Sequence, residues 1–196
     1  MLTKQELRKI YLANRAALSP VERRAADASL RERLRSLPAY RNAAAVVIYA
    51  SDGTEPDLLP LLDSDSQKRF YLPRFEEKSG SYIPAQVRCA NELVTGKYGI
   101  AEPPAQAPCA DGNTVRTALY CVPLVAFDKQ GTRLGRGKGF YDRMLEKVSG
   151  PVMGIAYDRQ FAEVLPKEPH DCALSGAVTE THLFDFVQQT NMAKEN

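Results

Sequence analysis

Six short apolar runs are spread along a chain that otherwise reads as helix or turn, and that alternation admits few folds. The runs cover residues 43–50, 69–72, 82–87, 119–125, 152–156 and 177–179. They are short for helices and rich in branched or aromatic residues, as Val46, Val47 and Ile48 illustrate, so they read as strands, most of them buried. Helix signals stand between them. Thr3 with Glu6 three residues on forms a capping box, and Leu7, Ile10, Tyr11, Ala13 and Leu18 follow as an apolar stripe. Ser19 caps a second helix with Pro20 in its first turn, and Ala25, Leu30, Leu34 and Leu37 recur down to Pro38. Further helices are expected over 55–62, 139–148 and 183–189. Strands alternating with helices predict an α/β fold: a mainly parallel sheet covered on both faces, in a three-layer α/β/α, Rossmann-like arrangement. Ligands of such a sheet bind past the C-terminal ends of its strands.

The 196 residues suit one domain over 1–196, with a frayed tail at about 190–196. Residues 103–108 carry three prolines and read as a surface connection. A net charge of +2, from 26 Lys and Arg against 24 Asp and Glu, argues against nucleic acid as a partner. No apolar run approaches the ~18 residues of a membrane span, and the N-terminus has no signal-peptide core. Cys89, Cys109, Cys121 and Cys172 form no close pair, which predicts reduced thiols in a cytoplasmic protein.

Chemistry concentrates in Gly131-Thr132-Arg133-Leu134-Gly135-Arg136-Gly137-Lys138-Gly139-Phe140-Tyr141-Asp142. Gly135, Gly137 and Gly139 permit positive φ and leave backbone N–H groups open to an anion. The helix that follows would add its N-terminal end. Arg136 offers a planar fork to phosphate oxygens and Lys138 a mobile point charge. The run is neither a P-loop nor a dinucleotide fingerprint. Its alternative is a glycine-rich turn with solvated charges.

Other candidates carry two readings each. Asp142 can hold a magnesium ion beside phosphates, or complement the helix dipole and pair with Arg143. Asp128 is expected to order the run by accepting backbone hydrogen bonds. Lys4 and Arg8, four apart on one helix face, are either a second cationic contact or a solvated face. Glu55 can read a ligand's N–H groups or serve a helix start. Phe140 and Tyr141 can stack on a flat ring, one of them packing in the core. His170, beside Asp171, is either a base or a loop residue bonded to its neighbour.

These residues, with Val122-Pro123-Leu124-Val125-Ala126-Phe127-Asp128 before them, resemble the 5-formyltetrahydrofolate cyclo-ligase family, also called methenyltetrahydrofolate synthetases. Lys4 with Leu7-Arg8, Leu72-Pro73-Arg74, Tyr98-Gly99-Ile100-Ala101-Glu102-Pro103, Leu165-Pro166, His170-Asp171 and Thr179-Glu180 extend the likeness in order over nearly the whole chain. The resemblance implies an ATP- and Mg2+-dependent conversion of 5-formyltetrahydrofolate to 5,10-methenyltetrahydrofolate. It also implies nucleotide contacts at Lys4, Arg8 and Gly135 through Tyr141, with Arg136 and Lys138 next to the reacting groups. Asp142 matches a magnesium ligand, Glu55 the acid that recognises the pterin, and Ala50 and Tyr141 the same folate pocket. The substrate's glutamate or polyglutamate tail should meet surface cations, and a monomer is expected. The chain departs from the family pattern at Leu58, often a Thr, and at Ser175, an acid in some members. Two other readings remain beside this one: another ATP-dependent enzyme on the same scaffold, and a non-catalytic reduced-folate-binding protein.

Overall fold

A computed structural model describes residues 2–168 and 171–187. The expected capping box of the first helix forms, and the expected Ser19 cap of the second is completed into a box by Glu22. In the helix α1 (Lys4–Ala16), Thr3 accepts from the Glu6 N–H at 3.2 Å and the Glu6 carboxylate accepts from the Thr3 N–H at 2.8 Å. Ser19 and Glu22 do the same for α2 (Pro20–Ser36), which has Pro20 in its first turn. A short α3 (Pro38–Asn42) leads into the first strand.

The remaining elements in chain order are β1 (Ala45–Val47), α4 (Leu61–Ser64), β2 (Arg69–Glu76), β3 (Ser81–Val87), β4 (Val94–Thr95), β5 (Ala101–Glu102) and α5 (Gly112–Thr117). Then come β6 (Leu119–Pro123), β7 (Ala126–Asp128), β8 (Arg133–Leu134), α6 (Phe140–Leu145), β9 (Val152–Ile155), β10 (Phe161–Ala162), β11 (Gly176–Val178) and β12 (Leu183–Asp185). Seven strands form the main sheet in the order β12-β11-β9-β6-β1-β2-β3. The inner five pair in parallel, and the two edge strands run antiparallel. After β1 the chain places β2 on one side and then β6 on the other, so the order reverses at β1, where a ligand crevice is expected.

Side chains alternate across this sheet and both faces are buried. Val46, Ile48, Phe70, Leu72 and Leu119 pack with Leu30 and Leu34 of α2 on one face. Val47, Tyr71, Tyr120 and Val122 pack with Met144 and Leu145 of α6 on the other. This is the predicted three-layer arrangement. A second, three-stranded sheet, β10-β7-β8, was not foreseen; its Ala126, Leu134 and Ala162 pack with Leu7 of α1.

Four expectations need correction. The helix predicted over 55–62 reduces to α4, because Pro60 disfavours helix before it and the Asp52 carboxylate takes the Glu55 N–H at 3.0 Å. The strand predicted to stop at Pro73 continues to Glu76. Pro73 stands opposite Pro84 of β3, a position where an antiparallel ladder asks for no N–H from either residue. The helix predicted over 139–148 shortens to α6. Residues 183–185 of the predicted closing helix form the edge strand β12, where Phe184 is half-buried and Phe186 buried while Leu183 and Asp185 face out. Residues 188–189 of that segment and the expected frayed tail lie outside the described residues, as does His170.

Residues 103–108 run over the surface as expected, yet they are pinned. The Arg74 guanidinium donates to the carbonyls of Pro104, Ala105 and Ala107 at 2.8–3.0 Å, and the Pro108 carbonyl accepts from Gln86 N–H. Among the described residues no helix is long and apolar enough to cross a membrane.

Candidate active site

A cavity of about 220 Å³ opens where the sheet order reverses. Its floor is made by Tyr49 and Ala50, just past β1, and by Pro123 and Leu124 at the end of β6. One wall is the glycine run with the first turn of α6. The other is the segment from Tyr98 to Glu102 with Tyr82 of β3.

The run is held by what precedes it. Asp128 is fully buried at the end of β7, and its carboxylate accepts from the N–H groups of Gln130, Thr132 and Leu165 at 2.9–3.0 Å. That is its expected ordering role. Gly137 and Gly139 take positive φ, +91° and +65°. Gly135 does not, so its missing side chain serves a different need: a Cβ there would stand 3.0 Å from the Arg133 guanidinium. Arg8 donates from Nε to the Gly135 carbonyl at 2.8 Å and lies over Gly137, tying α1 to the run. Lys4 instead points to carboxylates, 2.8 Å from Asp171 and 3.3 Å from Glu168, and does not line the cavity.

Lys138 is exposed, with Nζ 3.6 Å above the Tyr98 ring. Tyr98 itself takes φ +63°, a strained conformation for a non-glycine residue. Phe140 joins Tyr82 (5.1 Å between centroids), Tyr98 (6.1 Å) and Phe75 (6.3 Å) in an aromatic cluster, while Tyr141 packs toward the α6 face of the core. Asp142 lines the cavity, but its partner is the buried Arg133, 2.6 Å away, and not Arg143.

The opposite end is built differently. Glu55 is buried, and its Oε1 lies 3.4 Å from Arg15 and 3.3 Å from Arg136. Burial pushes its carboxyl above the ordinary range, and the Arg15 charge pulls it back. Arg136 also meets Asp52. Burial and the neighbouring Arg15 weaken the Arg136 guanidinium's hold on its proton. Arg136 thus reaches from the glycine run to the acid at the other end.

The structure therefore gathers Ala50, Glu55, Gly135 through Tyr141 and Asp142 around one cavity, leaves Arg8 behind the run, and turns Lys4 away. Sequence reasoning missed Arg15 and Tyr49, and noticed Arg133, Tyr98, Ile100 and Glu102 only as parts of matching segments. His182 lies on the surface, 3.4 Å from Asp158. Leu58 is buried in the core, which accounts for an apolar residue at that position. Ser175 is tied into the sheet through Val152, so no carboxylate joins Asp142 from there.

Comparison with known proteins bears on the same residues. The model of the 5-formyltetrahydrofolate cyclo-ligase family matches residues 1–180. The cyclo-ligase of Mycolicibacterium smegmatis is 32% identical over 185 residues, covering 90% of this chain and 93% of the relative. That of Escherichia coli is 32% identical over 88% of this chain and 97% of the relative. Among solved structures, Aquifex aeolicus 5,10-methenyltetrahydrofolate synthetase superposes with a TM-score of 0.83 at 35% identity, covering 94% of this chain and 93% of that one. The Mycoplasma pneumoniae synthetase gives 0.72 at 25% identity, covering 91% and 99%. With the match running through both the glycine run and the strand ends that carry Glu55, the chain belongs to the 5-formyltetrahydrofolate cyclo-ligase family.

Proposed function

We propose that the protein converts 5-formyltetrahydrofolate to 5,10-methenyltetrahydrofolate while ATP becomes ADP and phosphate. The observation that carries this reading is the two-ended cavity: a buried carboxylate faces one end, a glycine–cation run the other, and Arg136 reaches between them.

The chemistry needs both ends. A formamide carbonyl is a poor electrophile and its oxygen a poor leaving group. The formyl oxygen attacks the γ-phosphate, ADP leaves, and the carbon becomes an iminium phosphate. N10 of the folate attacks that carbon to close the ring, its proton passes to the phosphate, and departure of the phosphate leaves the methenyl bridge. The folate supplies its own nucleophile, so the protein's part is positioning and charge stabilisation. Glu55 accepts hydrogen bonds from pterin N–H groups while the ring lies against Ala50 and Tyr141. The run from Gly135 to Tyr141 cradles the phosphates, with Arg8 behind it. Arg136 and Lys138 meet the charge that develops on the transferring phosphoryl group.

Asp142 fits one oxygen ligand of a magnesium ion. It is a partly exposed carboxylate on the cavity wall, and Arg133 engages one of its oxygens. Magnesium is commonly held by one or two carboxylates together with substrate phosphates and waters. When bound it would neutralise phosphate charge.

The test is direct. Purified protein with ATP, magnesium and 5-formyltetrahydrofolate should yield methenyltetrahydrofolate, followed by its near-ultraviolet absorbance, and product should require both ATP and the metal. Folded protein that binds ATP and makes no product would overturn the assignment.

A further inference from the structure

We infer that Arg15, in the last turn of α1, is a positioning residue for the folate end of the site, holding Glu55 ionised and aimed into the cavity. This rests on reading Glu55 as the acceptor for pterin N–H groups. Arg15 is the bulkiest fully buried side chain, 1% exposed, and the mechanism above does not use it. Burying a guanidinium is costly unless it is paired, so its partners should explain its presence.

Those partners converge on one turn. Nη2 donates to the Thr54 hydroxyl at 2.8 Å and to Asp52 at 3.3 Å, and Nη1 reaches Glu55 Oε1 and the Leu124 carbonyl, both at 3.4 Å. The turn over residues 52–55 follows β1, and Leu124 follows β6, so Arg15 pins the Glu55 turn to the two strand ends that floor the cavity. Its Nε has no partner. Only the Thr54 bond is short. Toward Glu55, then, Arg15 acts more as a buried positive charge than as a well-aligned fork.

Arg15 from α1, Arg136 from the glycine run, Asp52 from its own turn, and the phenols of Tyr49 and Tyr141 all face Glu55. Burial favours the neutral acid and Arg15 opposes it. Arg136 is about half exposed and belongs to the phosphate run, so a nucleotide competes for it. Arg15 does not line the cavity and is held on the Glu55 turn by Thr54, Asp52 and Glu55 itself. A protonated Glu55 would present an O–H where the pterin needs an acceptor.

The test measures 5-formyltetrahydrofolate affinity without nucleotide from pH 5.5 to 8.5. Wild type should weaken on the acid side as Glu55 takes a proton. Arg15→Gln should weaken binding about tenfold or more near neutral pH and move the acid-side loss to higher pH. Arg15→Lys should leave that loss where wild type has it. Uniformly weaker binding by Arg15→Gln at every pH, with the acid-side loss unmoved, would reduce Arg15 to a structural tie and overturn the inference. Should Arg15→Gln not fold, Arg15→His decides: affinity must fall on the alkaline side as the imidazole loses its charge, and its absence overturns the inference. Glu55→Gln should bind weakly with no acid-side loss. Were it to bind like wild type throughout, the inference would fall with its premise, and the fault would lie in the role given to Glu55.

Discussion

The two ends of the cavity solve opposite problems. The end proposed for folate buries its charges in advance: Glu55 and Arg15 are 7% and 1% exposed, and each has its counter-charge in place. The end proposed for the phosphates leaves Lys138 exposed, with an aromatic ring as its contact, and exposes Gly137. A flat, largely uncharged ring cannot compensate buried charges, so the protein must pair them itself. A polyphosphate brings its own compensation, so cations there can wait in solvent. One end is therefore finished before its ligand arrives and the other is completed by it.

Substitutions can break this contrast. The largest effect is expected from Lys138→Ala, which should lower kcat by about 10²–10³-fold while folate affinity changes little; steady-state kinetics with a folate titration separate the two. Equal losses in both would mean that Lys138 serves the folate end as well. Gly137→Ala comes next. It forces φ +91° on an L-residue and puts a Cβ 3.0 Å from the Arg8 guanidinium. KM for ATP should rise about tenfold with the folate KM unmoved. Thr3→Ala is the smallest: loss of the α1 cap should cost about 1 kcal/mol and lower Tm by about 2–4 °C. Because α1 serves both ends, the two KM values should drift together, and a shift confined to one would argue that the helix serves only that end.

Much of this was legible in the chain. The capping box of α1 and the Ser19 cap of α2 are local, so sequence spacing alone predicts them; Glu22, which completes the second box, was not singled out. The run from Gly135 to Asp142 is also contiguous, and its glycines and cations lead directly to the phosphate site proposed. What stayed hidden depends on distant partners. Arg15 meets Glu55 across 40 positions, and among Arg8 and Lys9 it reads as one more solvated helix charge. A signal was present: Arg15 lies eight residues after Leu7 and four after Tyr11, on the stripe that packs inward. β7 and β8 are two or three residues long, too short to show a period. At β12 the alternation of Phe184 and Phe186 was available and lost to a helical reading. For Asp142, beside the magnesium role, the structural alternative was the helix dipole or Arg143, because Arg133, nine residues earlier, gives no sign in the sequence that it folds back.

The N-terminal helix also sets a length. Arg8 touches the phosphate run and Arg15 the folate turn, seven residues apart on one capped rod. At 1.5 Å per residue that spans about 10 Å, and Lys4, Arg8 and Arg15 fall within an arc of about 40°. With the two ends assigned as proposed, the spacing between two reacting molecules is written into the pitch of a single helix. One residue inserted between Arg8 and Arg15 would swing the second by about 100°, and the gauge would read wrongly at one end whichever end stayed docked.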